Sequence, residues 1–241
     1  MRNITTLWHA ALILSLGGGL CTLAPNMAIA QRPGTQRPAT PRARIEEPPA
    51  LGSAATPRIG STAGVPSANV VRASWTNLPG VDGKKHSLSD LAVKDVVVVA
   101  ITCNHCPIAI EYYDRMKEFV KQRCGPETKV TLVAISVSDA ETDKLPRMKE
   151  MSNRRRFNFP YLYDESQRTA KQLGAIVTPQ FFVLNKERTV VYRGAWDDNV
   201  NASQVKTRYV EEAVNAVLAG RTPATFEVKA RGCLIDYIDS K

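Results

Sequence analysis

The chain has 241 residues, 44% of them hydrophobic and 23% charged. That is the balance of an ordinary globular protein and allows one large domain or two small ones. Its formal net charge is +9, of which residues 1–30 carry +1 and residues 31–66 carry +3, leaving +5 for the rest. No helix-length stripe of Lys and Arg with interleaved aromatics follows, which argues against nucleic-acid binding, and Arg154-Arg155-Arg156 reads as a solvated helix face.

The first thirty residues have the organisation of an export signal. Arg2 gives a short positive start, residues 7–20 are apolar, and Ala28-Ile29-Ala30 places small residues at −3 and −1 before Gln31. The apolar run is broken by Gly17-Gly18-Gly19 and is shorter than the ~20 residues of a membrane span. Leu20 stands where a lipoprotein signal wants a small residue, so cleavage after Ala30 is expected rather than anchoring at Cys21. The expected location is periplasmic or otherwise extracytoplasmic, with no stable membrane span after cleavage. Residues 31–66 contain seven prolines among Gly, Ser, Thr, Ala and Arg. Little apolar surface is available there to offset the entropy of ordering, and a disordered linker is expected. The folded domain is expected over residues 67–241, with no internal repeat.

A short strand is expected at residues 74–77, followed by turns at Pro79-Gly80 and Asp82-Gly83 and a helical start at Ser87. Residues 96–101 are a continuous apolar, largely β-branched run, the pattern of a strand covered on both faces. Beyond Cys103-Asn104-His105-Cys106-Pro107, the residues Ile108, Tyr112, Met116, Phe119 and Val120 recur at helical spacing up to Cys124-Gly125. Residues 130–137 form a second apolar strand. Strand, helix and strand in that order imply a parallel pair with a right-handed crossover. Helices are expected at residues 144–156, 165–173 and over Val210–Leu218, and strands at residues 180–185 and 189–193 around a tight turn. The class is α/β, with a central mixed sheet flanked by helices.

Removal of the signal leaves Cys103, Cys106, Cys124 and Cys233. Two cysteines three apart at the start of a helix can close a disulfide within one turn. Unpaired backbone N–H groups and the positive dipole end stabilise a thiolate there. On this reading Cys103 sits at the exposed terminus and attacks a substrate disulfide, and Cys106 resolves the mixed disulfide. His105 would favour the thiolate when protonated, and His105 and Asn104 are candidate modulators of the pair. A zinc site would need further ligands, and there is no second CxxC. His86 is the only other histidine after residue 30, and Cys124 lies ~30 Å along the helix. Haem attachment would need His where Pro107 stands. No metal and no cofactor are expected. Thr178-Pro179, after a loop and before a strand, is a candidate cis peptide. Asp197-Asp198 read as polar loop residues, with Trp196 expected to pack near the active-site face.

The run VVVVAITCNHCP, the segment FPYLYDESQRTAKQLGAIVTPQFFVLN, the stretch VVYRGAWDDN and the ending RGCLIDY together resemble the thioredoxin-like extracytoplasmic redoxins. These are related to the alkyl hydroperoxide reductase/thiol-specific antioxidant proteins and to the cytochrome-maturation thioredoxins. The resemblance implies a thioredoxin-like fold with a strand–helix insertion before the proline loop, and a cis Pro179. It also implies that the Thr178 backbone binds a substrate chain. It further implies an exported thiol–disulfide oxidoreductase whose partners are disulfide- or dithiol-containing exported proteins and an upstream redox partner. The chain departs from the family in two respects. Val97 stands where many thioredoxins carry a buried acid, with Glu111 a candidate substitute. The positions of a peroxidatic Pro and Thr or Ser hold Val96 and Ala100 ahead of Cys103, and Val99 and Cys103 ahead of Cys106. The peroxidase machinery is therefore not evident; a thiol peroxidase and a metal-binding or chaperone module are the alternative functions. Cys233, in the matching Gly-Cys block, is a candidate third redox thiol, a partner for Cys124, or a packed thiol.

Overall fold

The structure, a computed structural model, describes residues 70–238. The expected signal, the expected linker and the first residues of the domain lie outside the described residues.

In chain order the elements are β1 (Leu78–Pro79), β2 (Lys85–His86), β3 (Val96–Thr102), α1 (Pro107–Arg123), β4 (Val130–Ser136), α2 (Leu145–Arg155), β5 (Tyr161–Tyr163) and α3 (Arg168–Leu173). They continue with β6 (Val177–Thr178), β7 (Gln180–Leu184), β8 (Val190–Gly194), α4 (Tyr209–Leu218) and β9 (Cys233–Leu234). Five strands make a mixed sheet in the order β5-β4-β3-β7-β8. β3 is its centre, parallel to β4 and antiparallel to β7. The sheet, with its parallel β3–α1–β4 unit and its antiparallel β7–β8 pair, is the thioredoxin-like arrangement.

The pleat divides β3 between two cores. Val96, Val98 and Ala100 pack with α1 residues Tyr112, Tyr113, Met116 and Phe119 and with Val210 and Val214 of α4. Val97, Val99 and Ile101 point the other way, toward Trp75, Leu88, Ala170 and Leu173. Burial on both faces explains why the strand reads as an unbroken apolar run.

Neither border of the sheet is bare. At β5, Gly80 bridges Leu162 and the Val81 N–H donates to Tyr161 O. At β8, the Val190 N–H donates to Val71 O at one end. At the other, the Arg193 N–H donates to Phe226 O and the Val228 N–H to Arg193 O.

Two expected elements are displaced. Residues 74–77 form no strand; Asn77 takes φ 56, which ends an extended run, and the hairpin pairs Leu78 with His86 instead. The helix expected from residue 165 begins at Arg168. The Asp164 carboxylate accepts the Thr169 N–H, and Gln167 takes φ 56, which holds residues 164–167 in a turn. No helix among the described residues is long and apolar enough to cross a membrane.

Candidate active site

β3 ends at Thr102, and the next four residues bring both cysteines to the mouth of α1. The helix begins at Pro107, not at Cys103. Proline fits the first helical position, and it forces the residue before it out of the helical region. Cys106 accordingly takes ψ 117 and is the N-cap. The expectation of an exposed Cys103 at the helix terminus is corrected on both counts. Cys103 precedes the cap, and the two residues are 1% and 0% exposed.

The loop is fixed at each position. Tyr113 OH donates to Cys103 O at 2.9 Å. The Asn104 side chain accepts from Tyr161 OH at 2.9 Å and donates to Thr142 O at 2.9 Å. The backbone N–H groups of Asn104 and His105 both donate to Asp143 Oδ1, and His105 Nδ1 donates to Asp143 Oδ2. Asp143 is fully buried. Sequence reasoning missed it; the signal available was its position just past the C-terminal end of β4, where open α/β sheets gather their sites. Asp143 is thus a buried acid beside the cysteine loop, held by Asn104 and His105 and without a contact to Cys106 among its hydrogen bonds. Glu111, the candidate substitute for the acid missing at Val97, lies on the exposed face of α1.

Thr178 meets both sulfurs. Its Oγ1 lies 3.2 Å from Cys103 Sγ, and its carbonyl accepts from Cys106 Sγ at 2.9 Å. The Thr178–Pro179 peptide is cis. The Thr178 backbone is not vacant for a substrate chain. β6 pairs antiparallel with the chain's own β9, Thr178 opposite Cys233, and the Ile235 N–H donates to Ile176 O. A substrate strand on this edge would have to displace residues 233–235.

Cys233 therefore belongs to the site, packed with Cys103, Cys106 and Ala109. Cys124 does not. It caps the far end of α1, ~25 Å away at 1.5 Å per residue, so an internal Cys124–Cys233 disulfide is excluded. The four cysteines among the described residues are free thiols.

Hydrogen bonding sets the order in which the thiols ionise. The Cys103 thiol donates to Cys106, and against the cost of burial the Cys233 thiol and the backbone N–H groups of Ala109 and Cys233 do the same. These donors hold Cys106 below the ordinary thiol range. The Thr178 carbonyl acts in the opposite sense, since it is an acceptor for the protonated Cys106. Cys103 is pushed up by its bond to Cys106, by burial and by the charge of Asp143. Access runs the other way. A cavity of about 220 Å³ is lined by Cys103, His105, Ala140, Thr178 and Leu234, and Cys106 does not reach it. Cys103 lines the cavity, while Cys106, which does not, better bears the charge.

Sγ of Cys103, a ring nitrogen of His105 and a carboxylate oxygen of Asp143 lie within 4.8 Å of one another and are the donor set that could hold a metal ion. Asp143 is already engaged by three donors, the backbone N–H groups of Asn104 and His105 and Nδ1 of His105. Asp197, read from the sequence as a loop carboxylate, is buried and ion-paired with Arg115. Asp198 is a loop acceptor for the Lys206 N–H. Trp196 packs edge-on against Phe119 and Phe181, in the α1 core and not in the cysteine cluster.

A CxxC at the end of a central strand, facing a cis-proline loop in a thioredoxin-like fold, defines a thiol-based redox protein. The chain belongs to the Redoxin family, whose model matches residues 59–209. It is similar in structure to a hypothetical protein from Sinorhizobium meliloti 1021, with 30% identity, a TM-score of 0.63, and coverage of 70% of this chain and 93% of that one. It is also similar to an uncharacterized conserved protein from Geobacillus kaustophilus, with 29% identity, a TM-score of 0.64, and coverage of 72% and 94%. No curated protein gives a match.

Proposed function

We infer that the protein is a thiol–disulfide oxidoreductase acting on disulfide- or dithiol-containing proteins outside the cytoplasm. The observation that carries the reading is the division between the two sulfurs, with Cys103 on the cavity and Cys106 enclosed among hydrogen-bond donors. In the oxidised pair a substrate thiolate attacks Cys103 Sγ. The Cys103–Cys106 bond breaks, and Cys106 leaves as a thiolate held by its donors. A low-pKa thiol is the better leaving group. The second substrate thiol then attacks its partner sulfur in the mixed disulfide and releases Cys103, which takes up a proton. The substrate dithiol is oxidised to a disulfide and the pair is reduced. Run backwards, the same steps reduce a substrate. Stabilising the Cys106 thiolate favours the reduced pair and so makes it the more oxidising.

Purified Cys106→Ser, mixed with a disulfide-bonded model peptide, tests this. It is expected to hold a mixed disulfide at Cys103, mapped by mass spectrometry, whereas Cys103→Ser holds none at Cys106. A folded Cys106→Ser that traps nothing sinks the reading. Peroxide consumption that needs an electron donor would favour the peroxidase instead. The clustering of Cys103, His105 and Asp143 donors favours a metal-binding reading. Stoichiometric zinc or copper in protein purified without chelator, lost in His105→Ala, would support it. The extracytoplasmic location rests on residues 1–30. Recovery of protein beginning at Gln31 from the extracytoplasmic fraction checks it.

A further inference from the structure

We propose that Cys233 is the third redox thiol of this site, and that it forms a disulfide with Cys106 in exchange for the Cys103–Cys106 disulfide. The proposal rests on the exchange function above and extends it. Cys106 becomes a sulfur shared between a substrate-facing thiol and a thiol on the C-terminal strand.

Four independent features place Cys233 for this. The register sets Cys233 opposite Thr178, the residue that touches both sulfurs of the pair. The Cys233 side chain packs in one cluster with Cys103 and Cys106. Gly232 permits the approach, because a Cβ there would stand 2.1 Å from Thr178 O and 3.0 Å from Pro179 N. Residues beyond the cysteine clamp the strand. Gln167 Nε2 donates to Asp236 O at 3.0 Å, the Ile238 N–H donates to Gln167 Oε1 at 2.9 Å, and Tyr237 OH donates to Ala175 O at 2.7 Å. The two cysteines of the pair are buried, whereas Cys233 is partly exposed. The segment lies outside residues 59–209, so the family match does not cover it.

The step balances without a further oxidant. A substrate disulfide, reduced in the exchange described above, first leaves the pair as Cys103–Cys106. Cys233 sulfur then attacks Cys106 sulfur, the Cys106–Cys233 bond forms, and the Cys103–Cys106 bond breaks. The proton of Cys233 goes to Cys103. Nothing is oxidised or reduced overall; the disulfide moves from the cavity to the strand. In the dithiol, Cys233 is pushed up to about 11, through its hydrogen bond to Cys106, burial and the Cys106 charge. Once Cys106 is held in a disulfide it carries no charge, so the causes that stem from it disappear and Cys233 becomes a competent attacker. The result is a site with two ports, in which Cys103 meets the substrate and Cys233 presents the same disulfide to a second dithiol protein.

The test uses the full chain. Wild-type protein is equilibrated in glutathione redox buffers, quenched in acid, alkylated under denaturing conditions, and its linked peptides are read by mass spectrometry. Both a Cys103–Cys106 and a Cys106–Cys233 linkage are expected. Cys103→Ser, oxidised with oxidised glutathione, is expected to remain monomeric while losing the free thiols of Cys106 and Cys233 together. Absence of the Cys106–Cys233 linkage from wild-type protein, or from Cys103→Ser with an unchanged circular-dichroism spectrum, overturns the proposal. A Cys103–Cys106 linkage in that same wild-type sample shows the exchange pair intact; its absence strikes at the proposed function instead.

Discussion

The carboxylate of Asp143 is buried beneath the imidazole of His105 and ties that side chain to the two backbone N–H groups that shape the cysteine loop. Removing it leaves buried donors without partners, at about 1–3 kcal/mol each. Asp143→Ala should therefore lower stability in urea by roughly 2–4 kcal/mol in total and slow exchange at Cys103. Asp143→Asn keeps an acceptor oxygen and should recover much of the stability while relieving the charge that pushes Cys103 up. Equal stability for Asp143→Ala and wild type would refute the role given to this residue.

The reduced protein should titrate with a thiolate midpoint below the ordinary value of ~8.5, followed by its ultraviolet absorbance. The sign follows from Cys106, whose ionised form is favoured in the fold. Its thiolate persists as pH falls through the ordinary thiol range and disappears only below it. Cys103→Ala should move that midpoint up, since the Cys103 thiol contributes most to lowering it. A wild-type midpoint at or above ~8.5 would show that the Thr178 carbonyl outweighs the donors.

Gly232→Ala should separate β9 from the proline loop. Crowding against backbone costs about 1–3 kcal/mol and cannot be relieved by rotating a side chain. The variant should melt at a lower temperature, and the Cys106–Cys233 linkage should fall sharply while the cysteines of the pair stay linked. An unchanged yield of that linkage would mean that the tail reaches Cys106 by another path.

Arg115 pairs with the buried Asp197 and also donates to Asn199 O at 3.0 Å, fastening the loop after β8 to α1. Asp197→Ala strands a guanidinium that is largely enclosed and should cost about 3–5 kcal/mol. The double change Arg115→Met with Asp197→Leu should cost less than the single one. Denaturant unfolding of both variants checks the order, and a double change that costs as much as Asp197→Ala or more would speak against coupling.

The parts of this molecule that were legible in the sequence are those written in short range. The run at residues 96–101 announces a central strand, the spacing of Ile108, Tyr112, Met116 and Phe119 announces α1, and the CxxC between them locates the loop. What escaped depends on residues far apart in the chain. Asp143 lies 38 positions from His105, and nothing local marks it as the partner of that imidazole. Asp197 looks like loop polarity until Arg115, on another element, is placed against it. The start of α1 was readable and was missed, because Pro107 excludes a helical Cys106 by sterics alone. Cys233 was visible as part of a block, but its pairing with Thr178 is a matter of register, which the sequence does not specify for strands of two residues.

The coverings on the two borders of the sheet have a consequence for how this chain behaves in company. A bare strand edge is a row of unpaired N–H and C=O groups on which a foreign strand can build. Here residues 80–81 lie along β5, and residues 71 and 226–228 lie along β8. The segment that carries Cys233 toward the thiols first passes over β8, where Gly194 makes room for Val228 O. The chain thereby keeps its own sheet from becoming a template for foreign strands, and part of that cover comes from the segment that carries Cys233.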